Sequence, residues 1–100
     1  AVSHELLVAR ELLFTVSQRT AAERVAAFLV ALSRRNERRG DDAHEIVLPM
    51  TRADIADYLG LTIETVSRQL TKLSAEGVVR VHNRRVEVPS VARLSAVAGD

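Results

Sequence analysis

Cysteine is missing from all 100 residues, which excludes disulfides, iron–sulfur ligation and thiol chemistry within this chain. Aromatic residues are scarce too, at 3% against 47% hydrophobic, so a core has to be built from Leu, Val, Ile and Ala. No apolar run approaches the ~20 residues that span a bilayer, and no signal-peptide pattern opens the chain; a cytoplasmic location with no membrane partner is expected. Nor is there an excess of charge. Fourteen basic residues face thirteen acidic ones, for a net +1. That falls short of a generic polyanion binder, so any nucleic-acid role has to rest on where the charges sit. Signs of catalysis are lacking: His4, His44 and His82 have no metal-ligand spacing, and there is neither a glycine-rich phosphate loop nor a G-x-S-x-G elbow. No enzyme activity, metal or cofactor is expected in this chain.

The length suits one small domain. The chain opens without Met, inside a helical pattern, as expected of a segment of a longer protein. Over residues 4–17 the apolar positions Val2, Leu6, Ala9, Leu13 and Val16 recur at spacings of four and three, a heptad seam with Glu5, Arg10, Glu11 and Thr15 outside it. Such a seam can meet a two-fold mate. Leu7, Leu12 and Phe14 supply a second apolar face, which equally fits a helix packed on its own domain. Thr20-Ala21-Ala22-Glu23 reads as a capping box opening a helix with Val25, Ala26, Phe28, Leu29 and Leu32 inward and an end near Ser33. The run Arg34-Arg35-Asn36-Glu37-Arg38-Arg39-Gly40-Asp41-Asp42 has no apolar residue; a solvated loop is expected, although four arginines also suit DNA contact.

Ile46-Val47-Leu48 is β-prone and stopped by Pro49. Thr51 can cap a helix over 52–58 with Ile55 and Ala56 inward. After Leu59-Gly60-Leu61, Thr62 can cap a second helix, 62–73. Gly77 then suits a C-cap. Val78-Val79-Arg80-Val81 and Arg85-Val86-Glu87-Val88 flank His82-Asn83-Arg84 at hairpin spacing. Residues 91–97 suit one more short helix. Two short helices about a glycine turn, followed at once by a hairpin, predict a winged helix-turn-helix.

The second of those helices carries the functional expectation. At 100° per residue Val66, Leu70 and Leu73 share one side, while Glu64, Ser67, Arg68 and Thr71 share the opposite one. Arg68 can offer paired donors to guanine O6 and N7, Glu64 can accept from a base amino group, and Ser67 permits close approach. A face that bound only phosphate would need no carboxylate. The plainer alternative for Glu64 and Arg68 is an i,i+4 ion pair on a solvated face. A winged helix used purely for protein interaction would show apolar residues there instead.

The stretch Leu48-Pro49-Met50-Thr51-Arg52-Ala53-Asp54-Ile55-Ala56-Asp57-Tyr58-Leu59-Gly60-Leu61-Thr62-Ile63-Glu64-Thr65-Val66-Ser67-Arg68 resembles the signature of the Crp/Fnr superfamily, and more narrowly its Fnr and FixK branch. The resemblance implies a mainly α fold with a small β wing. Residues 1–18 would be the C-terminal part of a dimerisation helix, and residues 19–100 a winged helix-turn-helix DNA-binding domain. It implies a transcription regulator, an activator, whose E-x-x-S-R motif reads a TTGAT-type half-site of a palindrome. Glu64, Ser67 and Arg68 match that motif. The catabolite-activator branch has arginine before the glutamate and glycine at the serine position, where this chain has Ile63 and Ser67. The resemblance also implies phosphate contacts from Thr51, Arg52, Thr62, Thr65 and His82. Arg84 and Arg85, at the wing tip, can join them or remain solvated. The partners it implies are double-stranded DNA, a second copy of the chain through the Val2–Val16 seam, and RNA polymerase. The β-barrel sensor of the intact family has no counterpart in these residues.

Overall fold

The computed structural model of the chain describes residues 19–100. The seam residues Val2, Leu6, Ala9, Leu13 and Val16 lie outside the described residues. Thr20 starts the first helix, α1 (Ala21–Arg38), with both halves of the expected capping box. The Glu23 amide donates to the Thr20 hydroxyl at 3.1 Å, and the Thr20 amide donates to the Glu23 carboxylate at 2.9 Å. Hydrogen bonding from Thr20 to the carboxyl, from its backbone amide first and then its side chain, holds the Glu23 carboxyl below its ordinary value near 4.5. A carboxyl depressed in the fold stabilises it fully above the unfolded value, and that contribution is lost as pH falls through the folded one. Glu23→Gln keeps the reciprocal geometry without the titration. We expect its stability to vary less with pH than the native protein's below about pH 5, measured by urea unfolding across the acid range.

Helix α1 does not end near Ser33. It continues through the charged run to Arg38, and only Arg39 and the residues after it form the expected exposed turn. The periodic apolar face does stop at Ser33, so the last turn is held by other means. Buried Ser33 donates to the Ala43 carbonyl at 2.6 Å. The Asn36 side-chain amide donates to the carbonyls of Asp42 and Glu45, each at 3.0 Å. The returning chain is thus tied to the helix by side chains. Arg35 and Arg38 in the last turn also suit the negative end of the helix dipole.

After β1 (Glu45–Val47) come α2 (Arg52–Leu59), α3 (Ile63–Ala75), the hairpin strands β2 (Arg80–His82) and β3 (Arg85–Glu87), and α4 (Val91–Val97). The wing has three strands rather than two, in the order β1-β3-β2, antiparallel throughout. Ile46 lies opposite Val86, and Val81 opposite Val86 on the other side. Their side chains alternate: Ile46 and Val86 are buried, while their strand neighbours Glu45, Val47 and Arg85 are exposed. This is the period-two pattern of a sheet with one face on the core.

The core is aliphatic, as the scarcity of aromatics requires. Val25, Ala26, Leu29 and Val30 of α1 meet Ile55 and Ala56 of α2, Val66, Leu70 and Leu73 of α3, the sheet residues, and Leu94 of α4. Helix α1 runs against α3, α4 and β1, so it forms the floor on which the second helix of the pair and the sheet rest. Burying each such Leu or Val contributes roughly 1.5–3 kcal/mol.

Candidate nucleic-acid interface

Two threonines and two glycines shape the α2–α3 pair. Thr51 caps α2, accepting from the Asp54 amide at 3.2 Å. Gly60 ends it in the left-handed region, φ 69°; there the Leu61 amide turns back to the Ala56 carbonyl at 2.8 Å. An L side chain at this φ is strained, and the turn keeps α2 and α3 adjacent. Thr62 caps α3, accepting from the Thr65 amide at 3.2 Å and donating its own hydroxyl to Thr65 Oγ1 at 2.9 Å. Helix α3 outlasts the expected end at residue 73 by two residues. It closes on Gly77 (φ 73°), with the Val78 amide bonded to the Leu73 carbonyl and the Gly77 amide to that of Ser74, the paired bonds of a Schellman motif.

Along α3 the two faces separate as the spacing predicts. Val66, Leu70 and Leu73 are buried, and Glu64, Ser67, Arg68 and Thr71 are exposed. No ion pair joins Glu64 to Arg68: the two ion pairs among the described residues are Arg80–Glu87 at 3.7 Å and Arg85–Glu45 at 3.3 Å. Both Glu64 and Arg68 therefore stand free to meet an external partner. Ile63 is 48% exposed and belongs to the outer surface at the start of α3.

The candidate phosphate contacts frame this face. Thr51 and Thr62 are exposed and Thr65 is half-buried. Helix geometry leaves the first amides of α2 and α3 without intrahelical partners, which makes each start receptive to an anionic oxygen. The wing turn is tighter than the three-residue spacing suggests. His82 and Arg85 are register partners, so only Asn83 and Arg84 form the loop. His82 and Arg84 are exposed at this tip. Arg85 is not in the loop; it starts β3 and pairs with Glu45 across the sheet. Arg52, half-buried at the first position of α2, donates from Nη2 to the Asn83 carbonyl at 2.6 Å. A shallow groove between α3 and the wing is lined by Arg52, Ser67, Leu70, Thr71, Ser74 and Val81.

The fold thus puts Glu64, Ser67 and Arg68 on the exposed face of α3, Thr62 and Thr65 in contact at its start, and Arg52 between Ser67 and the wing turn that carries His82 and Arg84. Sequence reasoning missed Asn83, whose φ of 57° makes it the one non-glycine residue with positive φ among those described. An Asn between two β-prone runs was the available signal, because Asn tolerates that conformation better than most residues.

Among the described residues, no helix is long and apolar enough to cross a membrane. The family model described as the Crp-like helix-turn-helix domain matches residues 23–97. A probable transcriptional activator of Rhizobium leguminosarum bv. viciae is 46% identical over 91 residues, 90% of this chain and 38% of that protein. The fumarate and nitrate reduction regulatory protein of Salmonella typhimurium is 39% identical over 98 residues, 98% of this chain and 39% of its own length. The solved structure of FixK2 from Bradyrhizobium japonicum aligns with a TM-score of 0.74 at 39% identity, covering 93% of this chain and 46% of FixK2. The chain therefore spans about two-fifths of the length of the curated relatives it matches. These relatives and this fold are those of transcription regulators, not enzymes. A capped helix pair, a buried and an open face on α3, a wing beside it and this family match lead to one assignment: the chain belongs to the Crp-like helix-turn-helix domain family of DNA-binding regulators, within the Crp/Fnr family and on its FixK-like branch.

Proposed function

We propose that this chain binds double-stranded DNA sequence-specifically, with α3 in the major groove of a TTGAT-like half-site and the wing tip on the flanking backbone. The observation that carries the reading is the open face of α3. It is polar, has no ion pair among the described residues, and includes a carboxylate. Glu64 repels phosphate, and its value lies in accepting from a base amine; Arg68 supplies the paired donors that suit guanine, and Ser67 leaves room for the approach. The backbone set is Thr51, Arg52, Thr62, Thr65, His82 and Arg84. Such contacts fix register but carry no sequence information. In the longer protein, the two-fold symmetry of a palindrome calls for a homodimer through Val2, Leu6, Ala9, Leu13 and Val16. Activation through RNA polymerase in the cytoplasm then follows the family pattern.

Binding to a TTGAT palindrome and to scrambled DNA, titrated against salt, tests this reading. A chain that reads bases prefers the palindrome at every salt concentration, and equal affinity for the two DNAs defeats the proposal. Within the same assay, Glu64→Ala removes a negative charge from the interface. Affinity for scrambled DNA should hold or rise, while discrimination at the base pair facing position 64 falls by roughly 1–3 kcal/mol. A variant that keeps full discrimination would return Glu64 to the solvated surface.

A further inference from the structure

The wing tip is suspended from the start of the helix-turn-helix. Two successive carbonyls of the turn accept bonds from the segment that leads into α2. The Leu48 amide donates to the Arg84 carbonyl at 2.7 Å, and the Arg52 guanidinium donates to the Asn83 carbonyl at 2.6 Å. The first is a main-chain bond that any residue at 48 other than proline would make. The second is a charge-assisted bond from a side chain, the stronger kind. It reaches a turn whose first residue is already committed to the left-handed region (Asn83, φ 57°). The strands behind the turn are three residues each and give it little stiffness of their own.

We propose that Arg52 is a positioning residue for the wing: its guanidinium fixes the Asn83–Arg84 turn relative to α3, and through that turn sets where Arg84 meets DNA. This rests on the DNA-reading proposal above and adds a task to a residue so far treated as a phosphate contact. The two tasks are compatible, because a guanidinium carries five N–H donors in a fixed fork and the recorded bond to the wing engages Nη2. Arg52 lines the α3–wing groove together with Ser67 and Thr71, so it stands between the base-reading face and the wing. A free arginine in that place would serve phosphate alone. A tethered one couples two contact regions.

The two roles differ in salt dependence. A lone phosphate contact contributes about 0.9 to the slope of log affinity against log salt. If Arg52 also places Arg84, then Arg52→Ala silences both cations. The slope should fall by about two units rather than one, and Arg84→Ala should change nothing further in that background. Independent contacts would instead give about one unit each, adding to about two in the double variant; that result overturns the proposal. A second measurement needs no DNA. Backbone relaxation at residues 82–84 of the free chain should show rigid order parameters in the native protein, falling below about 0.6 in Arg52→Ala, with the far-ultraviolet spectrum unchanged. Unaltered wing dynamics in the variant would also overturn it. A native chain that binds palindrome and scrambled DNA alike would defeat the base-reading proposal instead. The wing assignment would still be decided by the relaxation data and by slopes measured on scrambled DNA.

Discussion

Arg68→Ala should weaken binding to the matched half-site by roughly 1–3 kcal/mol, about 5- to 150-fold, and relax preference at the one base it faces. Arg68 is exposed on α3, has no ion pair among the described residues, and follows Ser67 directly on the open face. Removing it leaves the core untouched, so the thermal transition should stay within about 4 °C of the native one, as for other surface changes of about 0.5 kcal/mol or less. The discriminating measurement compares matched, singly mismatched and scrambled sites at one salt concentration. A base contact loses affinity on the matched site far more than on the scrambled one. Equal losses on all three would make Arg68 a backbone contact.

The largest stability effect is expected at Leu29, which is 1% exposed and lies mid-way along α1. This helix supports α3, α4 and β1 together, so a void beneath it cannot be filled by a shift of one element alone. Leu29→Ala should cost about 2–5 kcal/mol, the transfer of the lost methyl groups plus the cavity that remains. For a domain of this size that lowers Tm by roughly 10 °C or more. Calorimetry gives the shift. Binding measured well below the lowered transition separates stability from recognition: the folded variant should hold matched DNA with near-native affinity, since Leu29 contributes nothing to the exposed face. A variant with native Tm would mean that the core closes over the gap.

What could be read from the sequence was what is local. Thr20, Thr51 and Thr62 announce their helices because capping depends on residues two or three positions away, and all three caps are present. The two faces of α3 follow from spacing alone. The short helix over 91–97 likewise needed only its apolar period, and α4 has those bounds. Non-local features escaped. Residues 34–38 have no apolar stripe to mark a helix, and the bonds that hold that turn run from Ser33 and Asn36 to residues 42, 43 and 45. The third strand of the wing depends on pairing residues 45–47 with 85–87, some forty positions apart. The bond from Arg52 to Asn83 spans 31 positions, and no periodicity announces such a pair. At the candidate site, the shared exposure of Glu64, Ser67 and Arg68 on α3 was legible from helical spacing. The register of the wing turn was not, because one residue of slip separates a three-residue loop from the two-residue loop observed.

The division of α3 into a face that meets the protein and a face that meets solvent also bears on how such a domain diversifies. Val66, Leu70 and Leu73 are buried in the core, whereas Glu64, Ser67, Arg68 and Thr71 are exposed. Substitutions on the open face typically change folding stability by no more than about 0.5 kcal/mol. On the proposed reading, a gene duplicate could therefore exchange those few side chains, and with them its preferred DNA sites, while remaining folded at every intermediate step. Retargeting and folding would then fall on separate sides of the same thirteen-residue helix.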